Sequence, residues 1–186
     1  MNTAPDSLSV DQEETLRLAC LHRLGIHQNG PDERLDALTS AAARYFGVPM
    51  ALITLIDSDR QWIKSNCGID VQETPRNIAF CHYTIQHQRL LVVENALEDV
   101  RFSKNPLVTG PPHIRFYAGA PLLIGGQFRI GSFCLLHDIP RTFDAEARQK
   151  LWQFSKIATE LIELQHAYAG ASSGQTSTRH HPGPPR

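Results

Sequence analysis

The chain has 186 residues, a formal net charge of -1 at pH 7, 41% hydrophobic residues and 20% charged residues. That is the size and composition of one ordinary globular domain with ragged ends. A charge so near zero offers no long-range field to gather nucleic acid or an anionic membrane, so both are excluded as partners.

The N-terminal MNTAPDSLSVDQEE has neither a basic nor an apolar signal region. The longest apolar stretch, Val48 to Ile56, is far shorter than the ~20 residues of a spanning helix. Four cysteines, Cys20, Cys67, Cys81 and Cys134, lack C-x-x-C pairing and read as reduced thiols in the cytoplasm.

In chain order, residues 1–8 are expected to be disordered. Ser9 and Gln12 form a capping-box pattern that opens a helix through Leu16, Ala19, Cys20 and Arg23 to Gly25. Gly30 and Pro31 start a second helix, with Pro31 at its first position. Its stripe is Leu35, Leu38, Ala42 and Phe46, and Gly47 ends it. Nearly every residue from Met50 to Ile56 is apolar, which predicts a central strand buried on both faces.

After the Ser58-Asp59 turn, mixed polarity over Arg60–Asn66 predicts an edge strand. GIDVQETPRN reads as a loop, and Asn77 is placed to cap a helix over Ile78–Gln88. Leu91–Glu94 is a short strand. The polar, proline-broken segment Asn95–Pro112 reads as a long functional loop with one helical turn. Ile114–Leu122 and Phe128–His137 are strands joined across Gly125-Gly126. A last helix begins near Asp144, with Glu146 in its first turn and Leu151, Phe154, Ala158, Leu161 and Leu164 recurring along it. The Gly, Ser, Thr and Pro content of residues 170–186 predicts a disordered tail, leaving 9–169 as the domain. The order α-α-β-β-α-β-loop-β-β-α suggests an α+β sandwich.

Four blocks carry a family resemblance: RLDALTSAAARYFGVPMALITLIDSDRQWIKSNCGID, ETPRNIAFC, NPLVTGPPHIRFYAGAPL and IGSFCLLHDIPRTF. Together they resemble the GAF domain family, in the bacterial branch usually fused to histidine kinases or diguanylate cyclases. The resemblance implies a GAF-like, PAS-related α+β sandwich with a central antiparallel sheet of five or six strands. It also implies terminal helices on one face and a helix/loop lid over a ligand cavity on the other. Where relatives commonly read FCAHAI this chain reads FCHYTI, so His82 and Tyr83 reshape that helix. No kinase, GGDEF or helix-turn-helix pattern follows Ala169. The expectation is a stand-alone sensory or dimerising module that acts on a kinase or cyclase partner in trans.

Phe80, Cys81, His82, Tyr83, Asn105, Arg115 and Tyr117 are the candidate ligand-binding residues. Cys81 falls near a helix start, where the macrodipole favours a thiolate; it is either a redox sensor assisted by His82 or a small buried hydrophobe. Cys20 and Cys134 read as core residues. The Cys81-His82 pair resembles the bilin attachment dipeptide of phytochrome-like GAF domains. Their attachment cysteine precedes the strand that begins here near Ile114, and Asn105–His113 has none, so no bilin is expected.

His82 and His87 are five residues apart, on different faces of a helix, so no metal is expected; no cofactor is named by the sequence. No nucleophile elbow, P-loop or metalloprotease motif appears, and the cysteine surroundings do not match those of the free methionine sulfoxide reductases, so no catalysis is expected.

Period-two alternation sets Ile114, Phe116, Ala118 and Ala120 against Arg115, Tyr117 and Gly119. Arg115 then either clamps a carboxylate or phosphate in the cavity or pairs with Asp99 or Glu73 to pin the lid. Gly119 either leaves room for a ligand or fits a tight bend. Leu16, Leu21, Leu24, Trp152, Ile157 and Ile162 exceed what one packing stripe needs, which points to a homodimer through the terminal helices. The competing reading is a scaffold whose cavity is packed shut by Phe80, Tyr83, Phe116 and Tyr117.

Overall fold

The computed structural model describes residues 9–26 and 30–173. The expected disordered leader, residues 1–8, and most of the expected tail, residues 174–186, lie outside them. The elements are α1 (Val10–Leu24), α2 (Glu33–Phe46), β1 (Met50–Ile56), β2 (Arg60–Cys67), β3 (Glu73–Pro75), a 3-10 turn (Arg76–Ile78), α3 (Phe80–Thr84), β4 (Leu91–Val93), α4 (Pro106–Thr109), β5 (Phe116–Ile124), β6 (Phe128–His137) and α5 (Ala145–Ser173). The six strands form one antiparallel sheet in the order β3-β2-β1-β6-β5-β4. This is the α+β sandwich expected from the sequence.

Local signals placed several elements well. Ser9 and Gln12 make both halves of the capping box. All seven residues of β1 are buried. Gly125 and Gly126, both at positive φ, turn β5 into β6.

Other boundaries were moved by contacts. α2 begins one residue beyond Asp32, not at Pro31. The Asp32 carboxylate accepts from the Arg34 backbone N–H at 3.0 Å and holds the Arg34 guanidinium at 2.7 Å, making it the cap. β2 is not an edge strand, because residues inside the expected loop form β3 and pair with it. Asn77 caps nothing: it lies within the 3-10 turn, and α3 is only five residues long. Arg129 Nε donates to the Ile85 carbonyl at 2.6 Å, taking an acceptor that a longer helix would have used. At the far end, α5 runs through Ser173, four residues past Ala169.

The sheet divides the interior in two. α1, α2 and α5 cover one face, where Leu35, Ala42, Ile53, Leu55, Phe116, Phe133, Leu135, Leu151 and Ile162 form an apolar core. The other face carries α3, α4 and the 94–115 segment, with Leu52, Phe80, Cys81, Phe102, Val108, Tyr117 and Cys134 packed beneath. Ile114 belongs to this second core and not with Phe116. His113 just before it has φ 57, so the chain turns there and strict alternation begins only at Phe116.

Candidate functional site

On the lid side, α3 and β5 drive aromatic and thiol side chains into one place. Phe80 stacks on Phe102 with ring centroids 4.0 Å apart and planes 7° from parallel, and lies 5.1 Å from the Tyr117 ring. Tyr117 is fully buried, and its hydroxyl meets Thr84 Oγ1 at 2.6 Å and donates to Cys81 Sγ at 3.4 Å. Gly119 makes this fit: a Cβ there would collide with the phenol end of Tyr117 and with Thr84 Oγ1. The space beside Gly119 is thus taken by Tyr117 itself. Phe80, Phe102 and Tyr117 occupy the centre. Tyr83 packs edge-on against Phe102 at 4.9 Å from outside, and Phe116 points into the helix-side core.

Cys81 Sγ lies 3.6 Å from Cys134 Sγ, with Thr54 and Ser132 nearby on β1 and β6. Burial pushes the Cys81 thiol up, but contacts from Cys134, Ser132, Thr54 and Tyr117 outweigh it and bring it to about 7. Burial and the neighbouring Cys81 push Cys134 and Tyr117 well above their ordinary values. The two thiols therefore titrate as a pair.

Asn105 and Arg115 serve the backbone of the lid. Asn105 Oδ1 caps α4 by accepting from Leu107 N–H, while its Nδ2 donates to the Ile78 carbonyl, both at 2.9 Å. Arg115 Nη1 donates to the carbonyls of Val108, His113 and Ile114 at 2.9, 3.1 and 3.1 Å. The expected alternative partners of Arg115 are engaged elsewhere, Asp99 with Arg101 and Glu73 with Arg60.

His82 turns the other way, into a groove of about 510 Å³ between α1, α3 and the β5–β6 turn. Its Nδ1 accepts from Arg76 Nε at 3.1 Å, and its Nε2 lies 3.3 Å from the Gln86 side-chain amide. Burial, then the Arg76 charge, lowers its pKa. Arg76 Nη1 also donates to Glu14 at 2.6 Å, and Arg17 holds the same carboxylate at 2.7 and 2.8 Å. Burial works upward on Glu14, but the two guanidinia outweigh it and hold it at about 2. Sequence reasoning passed over Glu14, Arg17, Arg76 and Arg129. Arg76 sits in the ETPRN block, yet its partner lies 62 residues earlier, a distance that no local pattern reports.

The terminal helices sort the expected apolar surplus. Leu21, Leu24 and Ile162 are core, Trp152 is half-buried, and Leu16 and Ile157 are exposed. Along α5, Ile157, Leu164 and Tyr168 are 45%, 49% and 69% exposed, with half-buried Leu161 between them. Among the described residues no three His, Cys, Asp or Glu side chains converge as metal ligands would. None of the described helices is long and apolar enough to cross a membrane.

The profile of the GAF domain matches residues 30–161. Over 130 residues, 70% of this chain, the sequence is 41% identical to a cyclic di-GMP phosphodiesterase of Pseudomonas aeruginosa. The match takes in 22% of that protein, so the chain spans about a fifth of its relative's length. Among solved structures, the GAF domain of the Acinetobacter phosphoenolpyruvate-protein phosphotransferase superposes with a TM-score of 0.60 at 18% identity, covering 83% of this chain and 98% of that one. The blue-light-absorbing form of the PixJ GAF domain from Thermosynechococcus elongatus gives 0.62 at 11% identity, covering 92% and 100%. At such identities the likeness to these structures is one of fold.

Proposed function

The chain belongs to the GAF domain family of signalling and sensor modules, and from that premise we propose that it works by pairing with a second copy through α5. The observation that carries this is a second apolar stripe. Ile157, Leu161, Leu164 and Tyr168 recur at spacings of 4, 3 and 4, the period of a coiled-coil seam. The stripe lies about 120° around the helix from the core residues Leu151, Ala158 and Ile162, at about 100° per residue. Leu161 packs in part on the helix-side core, but covering Ile157 and Leu164 needs a partner outside the fold, and a helix seam of this kind is self-complementary.

The packing of Phe80, Phe102 and Tyr117 supports assembly over enclosure of a metabolite beneath the lid. The natural output is an enzyme of signal transduction in the same assembly, a kinase, a cyclase or a phosphodiesterase. The identity with part of a cyclic di-GMP phosphodiesterase supports that reading. The reduced thiols fit a cytoplasmic setting. The test is sedimentation of the wild type beside Ile157→Glu/Leu164→Glu. The wild type is expected to sediment as a dimer at micromolar concentration and the variant as a folded monomer. A monomeric wild type, or a variant that stays dimeric, sinks the idea.

A second reading, thiol-based sensing, is favoured by the Cys81–Cys134 contact of 3.6 Å. A disulfide needs about 2.05 Å between the sulfurs, a short approach. A hydroperoxide would oxidise the Cys81 thiolate to a sulfenic acid, and Cys134 would displace water to close the bond. Two thiols and one hydrogen peroxide thereby become one disulfide and two waters. Peptide mapping after mild peroxide should give the Cys81–Cys134 link before any adduct of half-exposed Cys67. Oxidation of Cys67 with Cys81 untouched rules it out.

A further inference from the structure

The groove that His82 faces carries a charge pattern that neither reading above uses. One carboxylate, Glu14, sits on its inner wall, and it is saturated. Its Oε1 accepts from Arg17 Nη2 at 2.8 Å and from Arg76 Nη1 at 2.6 Å, and its Oε2 accepts from Arg17 Nε at 2.7 Å. Two guanidinia on one carboxylate leave one positive charge uncompensated.

Arg129 adds a second. Its Nε is committed to the neutral Ile85 carbonyl at 2.6 Å, and among the described residues no carboxylate pairs with it. Held by Nε, its two Nη groups form an unspent fork of the kind that matches a carboxylate or phosphate. Arg76, which also lines the groove, adds its guanidinium to the same wall, while His82 is occupied by Arg76 Nε and by the Gln86 amide. Asp11 and Glu13 also border the groove, but at its water-exposed rim, where solvent and salt screen them. Leu16 and Phe128 supply apolar surface for an organic body. The volume of about 510 Å³ falls within the range of small-molecule sites.

We propose that this groove binds a small organic dianion, bearing carboxylate or phosphate groups, with Arg129 and Arg76 as its anchors. The ligand would bridge α1 to α3 and so bear on the packing of the terminal helix. The site is separate from the α5 seam.

The test is calorimetric titration of the full chain at low ionic strength with two probes, citrate and inorganic pyrophosphate. At least one should bind saturably at submillimolar concentration, citrate marking a carboxylate site and pyrophosphate a phosphate site. Arg129→Gln should weaken binding about tenfold or more, the worth of a hydrogen-bonded charge contact. Gln127→Glu, an exposed change at the groove's edge, should weaken it too, and keeps the test valid if the Arg129 variant folds poorly. Ile157→Glu/Leu164→Glu should bind as the wild type does, so loss of pairing and loss of binding are read separately. The proposal is overturned if neither probe saturates below about 10 mM. It is equally overturned if Gln127→Glu and a folded Arg129→Gln both bind unchanged.

Discussion

The two faces of the sheet are built from the same strands and do different things. The helix side buries a large core of Leu, Ile and Phe against three helices, and its few buried hydroxyls, Thr39, Ser65, Ser155 and Thr159, are bonded at the helix–sheet contacts. The lid side buries hydroxyls and thiols among its aromatics, so Thr84, Tyr117, Cys81 and Cys134 must satisfy one another. The first face depends on volume and the second on partners. Substitutions should therefore fail for different reasons on each.

Adjacent residues of β6 give the sharpest contrast. Phe133→Ala, on the helix side, should cost about 3–5 kcal/mol in urea unfolding. Cys134→Ala, on the lid side, should cost about 1 kcal/mol, for one lost small side chain. Equal costs would dissolve the distinction.

Gly119→Ala should come next, at about 2–3 kcal/mol, because its methyl collides with Tyr117 and Thr84. Adding Tyr117→Phe removes the hydroxyl and should recover part of that loss. Strict additivity in the double-mutant cycle would mean the phenol is not what fills the site.

Glu14→Gln should cost less than Gly119→Ala, about 1–2 kcal/mol, since its side chain is 32% exposed and solvent weakens the pairing. Glu14 is held at about 2 against an ordinary 4.5, so its contribution is complete above pH 4.5 and is lost as pH falls towards 2. Thermal melts across that window should show the wild type losing more stability than Glu14→Gln does. Parallel curves would show that the two arginines do not hold the carboxylate as described.

What could be read in the sequence follows the same division. The helix side is periodic, and the stripe Leu35, Leu38, Ala42 together with the run Met50–Ile56 announced it. The lid side depends on meetings across long stretches of chain. Cys134 is core, as its place in a strand suggested, but nothing near it in sequence mentions the thiol it meets, Cys81, 53 residues earlier. Asn77 looked like a helix cap but lies inside the 3-10 turn before α3, and the expected helix stops early because Arg129, 44 residues beyond Ile85, takes the Ile85 carbonyl. Of the candidate residues, Phe80, Cys81 and Tyr117 do meet, whereas His82 faces the groove and Asn105 and Arg115 hold lid backbone.

The sheet order leaves β3 and β4 outermost, each three residues long, and Glu73 and Pro75 stand on the first. Rims so short, one of them interrupted by a charge and an imino acid, give an incoming strand almost no ladder to extend. The protein is thereby guarded against edge-to-edge aggregation and strand exchange even when crowded.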